Sequence, residues 1–570
     1  MKKRKITLKL YALAICTVCW SSPLAVLSQW SSNPSANTPI CDTNGSQWQP
    51  SATTDDAGGV IVVWEDAHSE NYDEIYAQRI SADGYTLWGE DGIPVCTGLI
   101  SRRPVVMSDG SGGVIVAWTD WGENNAQHIY AQRLDTNGNL LWTSGGVLVS
   151  NQEGRFPSIV TDDVGGAIIS FLLTEDGREN YVYAQHIDAN VNLLWGADGK
   201  PIHTFDSRAW DVKSVNDGTG GAIITFVYNE GGWVHIVAKR INSDGNVMWT
   251  KNLPSVINGT EYAISADGQG GIALAWKTGL NTRTISMQRI DINGSLQWPL
   301  LNVCVGEYEM RLPRLVLTSS GDLIVTWIDK RNGSDYDIYA QRVSMSGIIQ
   351  WSTNGVPICT LPGDKIEHTT IASNNGSAIV SWRNGSEYYD PNADLYAQKV
   401  NNNGDLLWNF NGVEICIAPD HQEFYYDPMY DNYSRTIVDN ASGGAIIVWI
   451  DSRNGNNDIY AQRVNEDGAL GFIVTSHSPT QNALTVAKNT DIQVQFNLDV
   501  DQTTLNSNTF VVHASQTGLY TGTYSYNSGT KTATLNPTND FAVGERVSVT
   551  LTTGMQTTTG VPSLRMVLYH

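Results

Sequence analysis

The chain has 570 residues, with 58 Asp and Glu against 35 Lys and Arg, a formal net charge of −23, 53 glycines and 19 tryptophans. An acidic balance of this size excludes nucleic acid and anionic lipid as partners, because their phosphates need a positive face.

The chain opens with Lys2, Lys3, Arg4 and Lys5, then an apolar stretch, then small residues around Ala25 to Ser28. This pattern predicts a secretory signal over residues 1–28, cut before Gln29 and too short for a membrane anchor. Its loss makes the exported chain more acidic still. No other long apolar run follows, so a monomeric protein without an integral membrane segment is expected, in the periplasm, at the bacterial cell surface or outside the cell.

From residue 76 the tetrapeptide Tyr76-Ala77-Gln78-Arg79 recurs, exactly or in variant form, at Tyr130, Tyr183, Val237, Ser286, Tyr339, Tyr396 and Tyr460. Most units also carry a Gly-Gly pair, an apolar run ending in an aromatic residue, and a Trp beyond a polar turn. Gly58-Gly59, Trp64 and Trp88 show the order. Proline often enters a further apolar stretch upstream, as at Pro50, Pro104, Pro157 and Pro313. Four short strands per unit without helical periodicity predict one β-propeller blade each. Asp66, Asp120, Asp329 and Asp451 are expected to pair with the repeated arginines.

The eighth unit shows Phe472 in place of its Trp strand, while Gln29-Trp30 and Pro39-Ile40-Cys41 near the chain start match Leu87-Trp88 and Pro94-Val95-Cys96. An N-terminal outer strand therefore closes the ring over residues 29–472, with eight blades expected and seven the alternative. Beyond the signal, Cys41, Cys96, Cys304, Cys359 and Cys416 recur at one position of the repeat. Equivalent positions on different blades lie beyond disulfide reach, so these read as small buried hydrophobes.

After residue 472 the repeat stops, and Asp491-Ile492-Gln493-Val494-Gln495-Phe496 and Val547-Ser548-Val549-Thr550-Leu551 alternate as strands of an antiparallel sandwich. With Ser478-Pro479, Thr509-Phe510, Thr532-Ala533-Thr534 and Phe541, this segment resembles the SbsA-type bacterial Ig-like domain over about residues 475–562. The resemblance implies a non-catalytic spacer or adhesive module on a secreted or surface protein. Ser563 to His570 lack the Trp/Phe-containing strand expected there, so the domain at 473–570 is expected to be incomplete at its end. The repeat region is similar to secreted bacterial propellers with Asp-Ile-Tyr-Ala-Gln-Arg units, as at Asp337 to Arg342.

Repeated residues are structural suspects, so a site is expected where units differ. The variable loops join second to third strands and one blade to the next, on one rim. They carry Trp48, Trp121, Trp210, Trp233, Tyr388, Tyr389, Tyr425, Tyr426 and Tyr430. Aromatics beside carboxylates and amides suit a glycan, peptide or protein ligand, or else simply pack the loops onto the rim. A non-catalytic binding or scaffold protein is the reading. The alternative is a carbohydrate-active enzyme drawing carboxylates from Glu423, Asp427 and Asp431. No nucleophile, zinc, P-loop or dinucleotide motif is present, and no cofactor is expected. Calcium at turns such as Asp55-Asp56 and Asp162-Asp163 stays open beside the simpler role of satisfying turn backbone.

Overall fold

A computed structural model describes residues 30–68, 73–97, 100–122, 126–175, 178–204, 209–231, 233–254, 261–278, 283–385, 390–424, 426–427, 432–433, 435–471, 474–480, 483–496, 498–552, 554–558 and 566–569. Among these residues there are strands and two single-turn 3-10 segments, with no α-helix. Three second strands, Val60–Asp66, Leu323–Asp329 and Ala445–Asp451, are buried at every residue. A run of branched apolar residues with no polar face suits a strand whose sheet is covered on both sides.

Seven sheets follow one another along the chain, each of four antiparallel strands, over residues 47–96, 100–148, 154–203, 209–252, 262–306, 310–359 and 365–416. An eighth combines Gln422–Glu423 and Ile437–Asp439 with Ala445–Asp451 and Asp458–Val464, and its outer strand is Thr38–Cys41 from the start of the chain. The first strands of successive sheets touch in order, and Ile437–Asp439 of the eighth touches Gln47–Thr54 of the first. The all-β body is therefore propeller-like.

The tetrapeptide serves these joints. Tyr76 lies opposite Trp64 across the strands, with ring centroids 6.3 Å apart, and Tyr130 lies over Trp118 at 6.2 Å. Gln78 donates to Gly89 O and accepts from the Arg79 and Trp88 amides, which fixes the turn into the Trp. Arg79 and the Trp88 indole then both donate to Thr136 O in the next sheet, at 2.8 and 3.1 Å. The same convergence joins Arg240 and Trp249 to Ile292 O, and Arg289 and Trp298 to Met345 O. At the closing joint Arg463 and Trp30, from opposite ends of the ring, share Ala82 O. Gly138 sits under Trp88 at φ +81°, where an added Cβ would lie 2.9 Å from the indole.

The expected partner of the repeated arginine is corrected. Arg79 pairs with Asp55, Arg133 with Asp109, Arg240 with Asp217, Arg289 with Asp267 and Arg342 with Asp322, while His186 meets Asp162 at 3.0 Å. Asp66, Asp329 and Asp451 instead accept from the indoles of Trp64, Trp327 and Trp449, and Asp120 accepts from Ser101. Strand register explains the difference. Asp66 lies opposite Glu74, whereas Arg79 lies opposite Ile61, at the other end of the hairpin. Five residues of strand separate them, about 16 Å.

Among the described residues, Cys41, Cys96, Cys304, Cys359 and Cys416 are free and buried. Burial pushes the thiols of Cys41, Cys96 and Cys416 up to about 12. The C-terminal segment forms two four-stranded sheets around Ile492, Val494, Phe510, Val512, Leu535 and Val549. Its second sheet includes Met566–Tyr569 paired to Val547–Leu551, so a strand occupies the place where a Trp/Phe-containing one was expected.

Candidate functional site

The two ends of the sheets differ in chemistry. At one end Asp55, Asp109, Asp162, Asp217 and Asp267 fold the turns before the second strands. Asp55 Oδ1 accepts the Ala57 and Gly59 amides while its Oδ2 takes Arg79. Asp162 does the same for Val164 and Gly166 and takes His186. These carboxylates are engaged by turn amides and basic side chains, and no metal-holding group of His, Cys, Asp and Glu occurs among the described residues.

The other end carries the proposed rim. Trp233 stands at the tip of a hairpin opposite Glu230, 47% exposed, and Trp48 heads the first strand of sheet one, 38% exposed. Trp121 sits on the equivalent hairpin of sheet two, with the Arg102 guanidinium 5.7 Å from its ring. Trp210 is half-buried and packs against the apolar clusters on both sides of the fourth sheet. Trp48 and Trp210 thus lie within first strands rather than in the connections between units. Tyr388, Tyr389, Tyr425, Tyr430 and Asp431 fall outside the described residues. Tyr426 and Asp427 pair as backbone with Tyr433 and Asn432.

Bulges interrupt the first strands near this end. The register slips between Trp48 and Ser51, Arg102 and Val105, Arg155 and Ser158, Trp210 and Lys213, Arg311 and Arg314, and Ile366 and Thr369. Each slip holds a non-glycine residue in the left-handed region, among them Arg103 at φ 60°, Asp211 at 53° and Glu367 at 53°. Such a conformation costs on the order of 1 kcal/mol, and bulges redirect side chains. Carboxylates of the preceding sheet meet the displaced amides: Glu65 accepts Arg103 N–H at 2.6 Å, and Glu261 accepts Leu312 N–H at 2.8 Å.

The first-strand region of every sheet contributes to one axial cavity of about 440 Å³, from Gln49 and Ser51 in the first to Arg435 in the eighth. Sequence reasoning missed it. Trp48, Trp121, Trp210 and Trp233 do not line it, and among the described residues its cations are Arg103, Lys213, Arg314 and Arg435. Lys213 donates to Asp211 and to Tyr262 O, both at 2.9 Å, and lies 4.0 Å from the Tyr262 ring centroid. Arg103 lies 4.0 Å from the Phe156 ring centroid. Arg314 donates to His368 O. The available signal was basic residues at the heads of first strands in an acidic chain.

Beside the cavity, Arg383 donates to Glu367 at 3.2 Å, Glu367 also accepts the Phe424 amide, and His421 meets Glu423 at 3.0 Å. Burial raises the Glu367 carboxyl to about 7, with Arg383 lowering it and Glu423 raising it. Of the carboxylates expected to act together, Glu423 alone is described in this group.

Residues 471–566 match the family described as bacterial Ig-like domain. No curated protein matches the chain. Among solved structures, the chain is similar to the BP39L lectin from Burkholderia pseudomallei, at 11% identity and TM-score 0.43 over 65% of this chain and 100% of that one. It is also similar to a PL25 ulvan lyase bound to -[GlcA(1-4)Rha3S]-, at 10% identity and TM-score 0.35 over 76% and 96%. A GH43_1 enzyme from Xanthomonas citri complexed with xylose gives 11% and 0.26 over 55% and 93%. At these identities and TM-scores nothing about ligand or chemistry follows.

Proposed function

We propose that this chain is an exported, non-catalytic binding protein: an eight-bladed propeller closed by its N-terminal strand, followed by an SbsA-type Ig-like module. Its ligand, a glycan in the first instance, lies on the end of the sheets that bears Trp48 and Trp233. The exposure of these two indoles carries the reading. The core tryptophans Trp64, Trp118, Trp276, Trp327, Trp382 and Trp449 are wholly buried, and Trp30, Trp88 and Trp351 are nearly so. An indole left in water on the variable end suits stacking on a sugar ring. A glycan-binding screen with Trp48→Ala and Trp233→Ala tests this. Weakened binding with an unchanged melting temperature is expected, and unchanged binding by both variants removes the rim from the site.

A carbohydrate-active enzyme is the second reading, favoured by the Glu367 carboxyl, which stays partly protonated near neutral pH as a general acid must. Turnover of any glycan in the same screen, lost in Glu367→Gln, decides for it.

A further inference from the structure

The axial cavity opposes the charge of the molecule around it. The chain carries 58 acidic residues against 35 basic ones, yet among the described residues the wall holds Arg103, Lys213, Arg314 and Arg435 and no Asp or Glu. These cations are not part of the repeat. At the register position of Lys213 and Arg314, other first strands place Ser51, Val105, Ser158 and Thr369. Units that otherwise reuse the same side chains differ here, on the axis where they all meet.

Arg435 is the sharpest case. Its side chain is exposed and lines the cavity. Among the described residues its guanidinium has no hydrogen bond or ion pair. Removal from bulk water, with no counter-ion to offset it, pulls its pKa below the ordinary arginine value. An anion entering the cavity supplies this guanidinium with the missing partner.

The rest of the wall narrows the anion's class. Gln49, Ser51, Ser158 and Thr370 offer amide and hydroxyl groups, alternating with apolar Val105 and Ile159. A volume of about 440 Å³ is within the usual range for a small organic ligand and far exceeds a lone inorganic anion. The acidic exterior opposes a long polyphosphate chain.

We propose that the axial cavity binds the acidic group of a saccharide, a uronate carboxylate or a sulfate ester, between Arg435, Arg314 and Arg103. This rests on the reading of the same end as a glycan-binding surface. Calorimetric titration of the full chain with oligogalacturonate, a sulfated oligogalactan and a neutral oligogalactan tests it. At least one acidic oligomer should bind more tightly than the neutral one, its affinity falling with added salt; which one binds identifies carboxylate or sulfate. Arg435→Gln should weaken that binding about tenfold or more while leaving the melting temperature equal or higher. Arg314→Gln serves as the second variant. Binding of the acidic oligomer unchanged in both folded variants overturns the proposal. Preference for the neutral oligomer overturns it while leaving the binding reading standing, and binding of no saccharide by the parent protein removes both.

Discussion

At the residue scale, one carboxylate shapes each Asp turn and holds the neighbouring basic side chain. Asp109 Oδ1 accepts the Ser111 and Gly113 amides, and its Oδ2 receives Arg133 at 2.8 Å. Burial works to raise its pKa, but the hydrogen bonds from Ser111 and Arg133 outweigh this and hold it below the usual value. The eighth unit separates the two duties. Asn440 keeps the turn through the Ser442 and Gly444 amides, and Arg463 is left to bond the next sheet's Ala82 O. Asp109→Asn should therefore cost about 1 kcal/mol, and Asp109→Ala, which removes the turn acceptor as well, about 3 kcal/mol. Urea denaturation of the two variants checks the order, and equal losses would show that the ion pair outweighs the turn. Sequence reasoning chose Asp66 for this role because it counted spacing along the chain. The antiparallel hairpin puts Asp66 at the far end from Arg79, and register alone would have redirected the choice to Asp55.

At the scale of elements, the joint between the last sheet and the first differs from the other seven in covalent terms. Elsewhere the chain runs on from sheet to sheet. Here non-covalent contacts hold the ring shut, among them the pairing of Thr38–Cys41 with Asp458–Val464, the Trp30 indole, Arg463, and the hydrogen bonds from Arg453 to Ser35 O and Ala36 O. This element was legible because Trp30 repeats the Trp that ends every other unit, and Cys41 repeats Cys96, Cys304, Cys359 and Cys416. Trp30→Ala removes a nearly buried side chain and should cost about 3–5 kcal/mol. Unlike Trp298→Ala at an interior joint, it should also release its strand. Hydrogen exchange at 458–464 should rise in the Trp30 variant and stay low in the Trp298 variant. Deleting residues 30–41 bares the edge of Asp458–Val464, and size-exclusion chromatography should then detect oligomers. A deletion variant that stays monomeric with protected amides would mean that the outer strand is dispensable.

At the scale of the whole molecule, the ring was legible and the cavity was not, for the same reason. Joints reuse one set of residues, so a single sequence shows them eight times over. The cavity wall is assembled from residues far apart in the chain that share no motif, such as Arg103, Lys213 and Arg435. Its carboxyl neighbours also give the fold a pH dependence. Burial raises Glu65 to about 7, against the opposing Arg103 amide and the charges of Arg102 and Arg103, and raises Glu367 to about 7. Both lie above the ordinary value of 4.5, so their neutral forms stabilise the fold fully below that pH. That contribution is lost as pH rises through about 7. His368 acts in the opposite sense. Burial holds its pKa well below 6.5, so its contribution is present above 6.5 and lost only as pH falls. Above 6.5 the fall that remains comes chiefly from the two glutamates, Asp458 being raised only to about 6, and the melting temperature should go on falling to about pH 8. Glu65→Gln and Glu367→Gln should each flatten that slope, and the double variant should nearly abolish it. A parent profile already flat over this interval would show that water or structural relaxation keeps both carboxylates ionised.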